Sequence, residues 1–158
     1  MGTAVMITSG KGGTGKTSLT AGVASCLAAL GRRVLCVDLD IGLRNLDLTL
    51  GMSDRALMDF TDVMDYRCPL LTAAVEQPEI RNLFLLTAPH SSPGLDQKRF
   101  QAVIEEASEY FDFVFMDSPA GLGEGFQLAM SAADRVIVVS SVDPAALRDA
   151  QRTVAELH

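Results

Sequence analysis

The sequence predicts an α/β fold of three layers, a mostly parallel sheet flanked on both faces by helices. Near-continuous apolar runs alternate with amphipathic stretches along the 158 residues. Strands buried on both faces and joined by crossover helices produce that pattern. Glycines cluster directly behind the first apolar run, where a strand would turn into a helix. At this length one domain, residues 1–158, is expected, burying roughly 70% of the surface its unfolded chain exposes.

"TAVMITS" (3–9) reads as a buried strand from its β-branched content. From Thr17 the period changes, and Leu19, Val23, Leu27 and Leu30 would share the inward face of a helix over 17–30 that Gly31 ends. "RVLCVD" (33–38) is the second strand. Residues 40–52 read as a loop with a short helical turn, and "RALMDFTDVM" (55–64) has helical spacing through Leu57, Phe60 and Val63 or Met64. "NLFLLTA" (82–88) is the third strand, closed by Pro89, and "SSPGLD" (91–96) is turn chemistry. A helix over 97–110 follows with Phe100, Val103, Ile104 and Ala107 inward. "FDFVFMD" (111–117) and "DRVIVVSS" (134–141) are the fourth and fifth strands. A last helix over 144–158 starts at Pro144 and carries an apolar stripe of Leu147, Val154 and Leu157. A doubly wound sheet commonly adds strands after such a helix, so the sequence reads either as lacking the carboxy-terminal part of the fold or as an unusually short member.

Composition narrows the function classes. The formal net charge of -7, spread along the chain, disfavours unspecific attraction to DNA phosphates. Cys26, Cys36 and Cys68 form no C-x-x-C, and the first two fall inside apolar patterns. Neither a metal nor a disulfide is expected from them, which implies a reducing, cytoplasmic location. The amino terminus shows no basic stretch leading into an apolar run, so no signal peptide is expected, and no segment approaches the roughly 20 apolar residues that span a bilayer.

"SGKGGTGKTS" (9–18) satisfies two patterns at once. Gly10, Gly12 and Gly15 make a dinucleotide fingerprint, whereas Gly10 followed by Gly15-Lys16-Thr17 makes a P-loop. Asp38, at the end of the second strand, would suit the first pattern by holding ribose hydroxyls. A pyrophosphate at a helix start needs no lysine, however, because backbone N–H groups and the helix dipole hold it. A triphosphate with Mg²⁺ does need Lys16 on the β and γ oxygens and the Thr17 hydroxyl on the metal. It also needs a carboxylate at the end of another strand, which Asp117 supplies. The two features agree on a nucleoside triphosphate and a P-loop NTPase fold. Lys11 occupies a place without a fixed residue in P-loops generally. It is either a solvated charge or a cation reaching phosphates of its own or a facing subunit.

"KGGTGKT" is similar to the deviant Walker A loop of the MinD/ParA ATPases, and "DLDIGLRNLDLTLG" (38–51), "DSPAG" (117–121) and "LRDAQR" (147–152) resemble the same family in the same order. The resemblance implies an ATP-binding loop of Gly10, Lys11, Gly12, Gly13, Thr14, Gly15, Lys16, Thr17 and Ser18, with ATP or ADP as nucleotide. Lys11 would cross an ATP-sandwiched homodimer to the partner's phosphates, and Lys16 would bind those of its own subunit. Thr17 would ligate Mg²⁺, Asp117 would hold it through water, and Asp38 would sit near its water shell. Asp40 would orient the attacking water, and Gly121 would offer its N–H to the γ-phosphate. The residues alone support Asp40 in part, since it follows a strand end near the loop and one carboxylate can accept a hydrogen bond from water. The alternative is that it only caps the turn at Gly42. Arg44 and Asn45 would line the dimer face or stay solvated.

For function, the resemblance implies an ATPase whose hydrolysis switches the placement of the division septum. Its partners would be MinC- and MinE-like regulators and the inner membrane surface, with DNA disfavoured. A ParA-like partitioning protein, a flagellar-number regulator and a nucleotide-binding module without turnover remain open alternatives. Arg148 and Asp149 match a segment associated with regulator binding, or else form an exposed polar face. The chain departs from the family at Thr14, often valine there, and in "VSSVDPAALRD", which lacks the usual "TNPE". Its last helix has only Arg148 and Arg152 as basic residues, so it does not replace the family's membrane-seeking helix.

Overall fold

Strand β1 (Thr3–Thr8) lies between β5 (Phe113–Asp117) and β6 (Arg135–Val138), parallel to both. On the far side of β5 come β2 (Val34–Asp38) and then β4 (Leu83–Leu86), again parallel. A two-residue strand, β3 (Val75–Glu76), pairs antiparallel with β4 and gives the order β3-β4-β2-β5-β1-β6. The expected mostly parallel sheet is present, with β3 as an edge too short for any periodicity to reveal. This computed structural model describes residues 1–91 and 94–158, so the turn expected at 91–96 lies partly outside the described residues.

The register brings chemistry to one edge. Asp117 is aligned with Ile7 on one side and Asp38 on the other, so the carboxyl ends of β1, β5 and β2 form one line.

Helices cover both faces. On one, α1 (Lys16–Ala29) and α2 (Asn45–Thr49) close a core that includes Val5, Ile7, Cys36, Leu46 and Phe115. On the other, α3 (Phe60–Met64), α4 (Leu70–Ala73), α5 (Gln97–Tyr110) and α6 (Glu124–Ala132) pack over Met6, Leu35, Val37 and Val114. Phe60 and Phe100 meet there edge to face at 5.5 Å. Each fully buried aromatic of this kind contributes about 1.5–3 kcal/mol by leaving water. Asp96 caps α5 by accepting from the N–H groups of Lys98 and Arg99, and the expected face of Phe100, Val103, Ile104 and Ala107 is buried.

Four helical expectations need correction. Helix α1 buries Thr20, Ala21, Ala24 and Ala28, while Leu19 is exposed and Leu30 is 78% exposed. Alanines and leucines recur at the same helical spacing, and the sheet takes the small-residue face because it lets the helix lie closer. The helix expected over 55–64 begins only at Phe60, and Leu57 is 90% exposed. A capping box stops it there: Asp59 accepts from Thr61 N–H, and Asp62 accepts from Asp59 N–H. Helix α6 has no counterpart among the elements expected from the sequence; Gly123 precedes it and Gly125 sits in its first turn, where glycine weakens helical propensity. Gly125 is nevertheless required, because a Cβ there would lie 2.5 Å from Leu39 O and 2.6 Å from Pro119 Cδ.

The last correction concerns the chain's final elements. Helix α7 (Pro144–Glu156) starts as expected, with Asp143 accepting from Ala146 N–H, but it buries Ala146 and Thr153 and leaves Leu147 50% exposed. Val154 is exposed as well, as are Val136 and Ile137 of β6 beside it. β6 is the edge strand, so its flank and the helix over it have no further element against them among the described residues. No described helix is long and apolar enough to cross a membrane.

Candidate functional site

β1 ends at Thr8 and the chain turns at Ser9, whose hydroxyl donates to Lys11 O at 2.9 Å. Gly13 and Gly15 take φ of 75° and 85°. For a residue with a Cβ that conformation costs about 1–2 kcal/mol, which is why glycine stands there. Gly15 precedes α1 without a side-chain cap, so first-turn N–H groups lack partners and present partial positive charge to the loop's concave side. Such a terminus suits an anion.

An acid faces it from the sheet. Asp117 is 2% exposed; its Oδ1 accepts from Lys16 Nζ at 3.2 Å and Thr20 Oγ1 at 3.4 Å, and its Oδ2 accepts from Thr17 Oγ1 at 2.8 Å. Sequence reasoning missed Thr20. It lies three residues after Thr17 and four after Lys16, on the same helix face, which was the available signal.

Two further carboxylates stand near. Asp38 is 1% exposed, its oxygens accepting from Asp40 N–H at 2.9 Å and Leu46 N–H at 3.2 Å. Burial pushes its carboxyl up to about 7; the two N–H groups work against this, and the charges of Asp117 and Asp40 add to it. Asp40 is half-buried, and its carboxyl is also raised by burial, with Lys16 opposing and Asp117 reinforcing the shift. Among the described residues no donor reaches the Asp40 carboxylate, which leaves it free to accept from water.

A cleft of about 460 Å³ joins these parts, lined by the loop from Gly12 to Ser18, by Ser9 and Asp40, and by Leu43, Asn45, Pro119 and Ala120. Of the residues singled out in the sequence, Gly12, Gly13, Thr14, Gly15, Lys16, Thr17, Ser18, Asp40 and Asn45 share this lining; Asp38 and Asp117 are buried. Gly10, Lys11 and Gly121 lie outside it. Gly10 is packed on α7, where a Cβ would come within 2.5 Å of the Asp149 carbonyl. Lys11 is exposed near the start of α7: the Asp143 carboxyl is held below its usual range first by Ser141, then by Ala146 N–H, with Lys11 adding a smaller pull. Gly121 has a φ of 88° in the loop after β5. Arg44 directs its guanidinium to Thr87 and His90.

The donor set fits a magnesium-bound polyphosphate. The carboxylates of Asp117 and Asp40 share one half-buried ammonium, Lys16, and their carboxyl neighbour Asp38 adds to the negative side, which a divalent cation would offset. The Thr17 hydroxyl and Asp117 are hard oxygens in contact with each other, matching a metal that takes few protein ligands and keeps several waters.

A glycine loop between β1 and α1, with its lysine and threonine converging on an acid at the end of the neighbouring parallel strand, defines a protein of the P-loop nucleoside-triphosphatase fold. The chain belongs to the AAA domain family, whose model AAA_31 matches residues 2–157. It is similar to the septum site-determining protein MinD of Bacillus subtilis, 41% identical over 160 residues that cover 99% of this chain and 60% of the relative. Against MinD of Helicobacter pylori the identity is 42% over 156 residues, covering 98% and 58%. Among solved structures, the MinC:MinD cell division complex of Aquifex aeolicus matches with a TM-score of 0.90 and 40% identity, covering 98% of this chain and 63% of that one. MinD of Pyrococcus horikoshii complexed with Mg-ADP matches with a TM-score of 0.86 and 31% identity, covering 99% and 65%. The chain thus spans about 60% of the length of the curated relatives it matches.

Proposed function

We propose that this chain, as one domain over residues 1–158, is the nucleotide-binding part of a MinD-like ATPase that uses ATP binding and hydrolysis to switch the placement of a division septum. The observation that carries the reading is the Asp117 carboxylate gathering Lys16 and Thr17 at an uncapped helix start. The collinear similarity to MinD proteins supports the biological setting.

The residues divide the work by position. Backbone N–H groups of Gly12 to Gly15, with Ser18 behind them, cradle the phosphates, and Lys16 exchanges its partner Asp117 for the β and γ oxygens. Thr17 and Asp117 would hold Mg²⁺, with Asp38 beneath them; when bound, the ion offsets charge on the phosphate oxygens. Asp40 orients the water that attacks the γ-phosphorus as the bond to the β-phosphate oxygen breaks, releasing ADP and phosphate. Lys11 reaches the phosphates of a facing copy, and Gly121 reports the γ-phosphate through its N–H. Positioning and charge stabilisation supply the acceleration.

The same reading makes the ATP-bound state a homodimer and its hydrolysis a timer. A MinC-like protein is the proposed regulator, from the solved complex of a similar chain with MinC. A MinE-like regulator and a cytoplasmic location peripheral to the inner membrane complete the proposal. Phosphate release in ATP and Mg²⁺ tests it. Turnover by the wild type that Lys16→Ala abolishes is expected; equal background rates for both would leave a module that binds without turnover.

A further inference from the structure

Asp40 belongs to a segment held from two sides. From inside, the Asp38 carboxylate accepts the N–H groups of Asp40 and Leu46, fixing the start and end of residues 40–46. From outside, the middle of the segment is latched to the turn after β4. Gly42 N–H donates to Pro89 O at 3.3 Å, Arg44 Nη2 donates to Thr87 Oγ1 at 3.2 Å, and Arg44 Nη1 lies 2.7 Å from His90 Nε2. A guanidinium only donates, so that ring nitrogen accepts and the His90 proton sits on Nδ1 in this contact. The backbone of Arg44 closes the loop, its N–H donating to Asp40 O at 3.1 Å.

Arg44 does this at φ 51°, left-handed for a long side chain. Such a conformation persists only where the surroundings over-determine it, and it gathers at functional segments. Here the surroundings include its side-chain contacts with Thr87 and His90 and the bond from its own N–H to Asp40 O.

We propose that Arg44 is a positioning residue for hydrolysis: by latching the segment to Thr87 and His90, it holds the Asp40 carboxylate in the phosphate cleft. The inference rests on the reading of Asp40 as the acid that orients water. Without the latch, Asp38 still grips Asp40 N–H and Leu46 N–H, so the protein folds and binds nucleotide while the carboxylate loses its fixed aim. A misplacement of about 1 Å at a reacting group costs on the order of a hundredfold in rate.

The experiment measures steady-state ATP hydrolysis and amide hydrogen exchange on the full chain. Arg44→Lys keeps the charge but lacks the fork. It and Arg44→Ala are expected to lower kcat by about 10- to 100-fold with KM for ATP changed less than about twofold. His90→Gln, which keeps an acceptor, is expected to retain kcat within about threefold. Where Asp40→Asn is already present, adding Arg44→Ala should cost nothing further, because Arg44 acts through Asp40. Exchange at Gly42 and Arg44 N–H should quicken about tenfold or more in Arg44→Ala. Unchanged exchange in that variant overturns the proposal whatever the activity, and so does a further drop in kcat on the Asp40→Asn background. If the wild type shows no turnover, the ATPase reading fails on its own, and the exchange result still decides whether Arg44 orders the segment.

Discussion

Replacing Asp117 by asparagine keeps the side chain's shape and removes its charge. In the unliganded protein this removes the ion-pair partner of Lys16 Nζ at a site where the lysine side chain is only 11% exposed, leaving the charge of Asp40 as its remaining neighbour. Breaking one partner of a buried pair costs about 3–5 kcal/mol in the extreme. The cleft opens to water beside Lys16, and loss of the Asp117 charge relieves its repulsion with Asp38 and Asp40, so a net loss of about 2 kcal/mol follows. For a domain of this size that corresponds to a Tm lower by about 4–8 °C. The second consequence is larger in kind. With Mg²⁺ and ADP at about a hundredfold over Kd, the wild type gains about 2.7 kcal/mol by linkage. Asp117→Asn should lose the Mg²⁺-dependent part of that gain and keep the magnesium-independent part. Thermal unfolding followed by circular dichroism, with and without each ligand, measures both. An unchanged Tm together with a full magnesium-dependent shift would refute the assignment of Asp117.

The raised carboxyl of Asp38 makes a pH prediction. A carboxyl that titrates near 3.8 when unfolded and about 7 when folded binds its proton more tightly in the native state, so its contribution to stability is greatest below pH 4 and declines as pH rises to about 7. Urea unfolding from pH 4.5 to 8 should show a decline of about 3 kcal/mol that Asp38→Asn flattens; parallel curves for the two proteins would contradict it. Gly10→Ala should push the loop off α7 and lower both stability and nucleotide affinity, because its Cβ would fall 2.5 Å from Asp149 backbone atoms. Wild-type affinity in that variant would mean that the packing of the loop on α7 is irrelevant to binding. Lys11→Ala should abolish ATP-dependent dimerisation and spare ADP binding; an unchanged ATP dimer by sizing chromatography would remove Lys11 from any role across the interface.

The site was legible in the sequence where motif spacing or the end of an apolar run marks its parts. Gly15, Lys16 and Thr17 are consecutive, and Asp117 announces itself by closing an apolar run, so spacing and strand ends alone brought them together. Contacts that depend on tertiary approach were not legible. The register that aligns Asp38 with Asp117, the Thr20 hydroxyl on the same carboxylate and the turn of Arg44 toward His90 all need the folded sheet. The same limit explains α1, whose alanine and leucine faces share one periodicity, and α6, whose glycine at 125 marks a close approach to Leu39 and Pro119. At α7 spacing marked the stripe of Leu147, Val154 and Leu157, yet the helix buries Ala146 and Thr153 and leaves Leu147 and Val154 exposed, because what stands against it is a property of the sheet's edge.

Calorimetric titration with ATP in the presence of Mg²⁺ tests the central claim most directly. Saturable heat with one nucleotide per chain is expected, weakened on removing the metal and lost in Lys16→Ala. Folded protein that gives no heat with magnesium and ATP, or a Lys16→Ala variant that binds as tightly as the wild type, would contradict it.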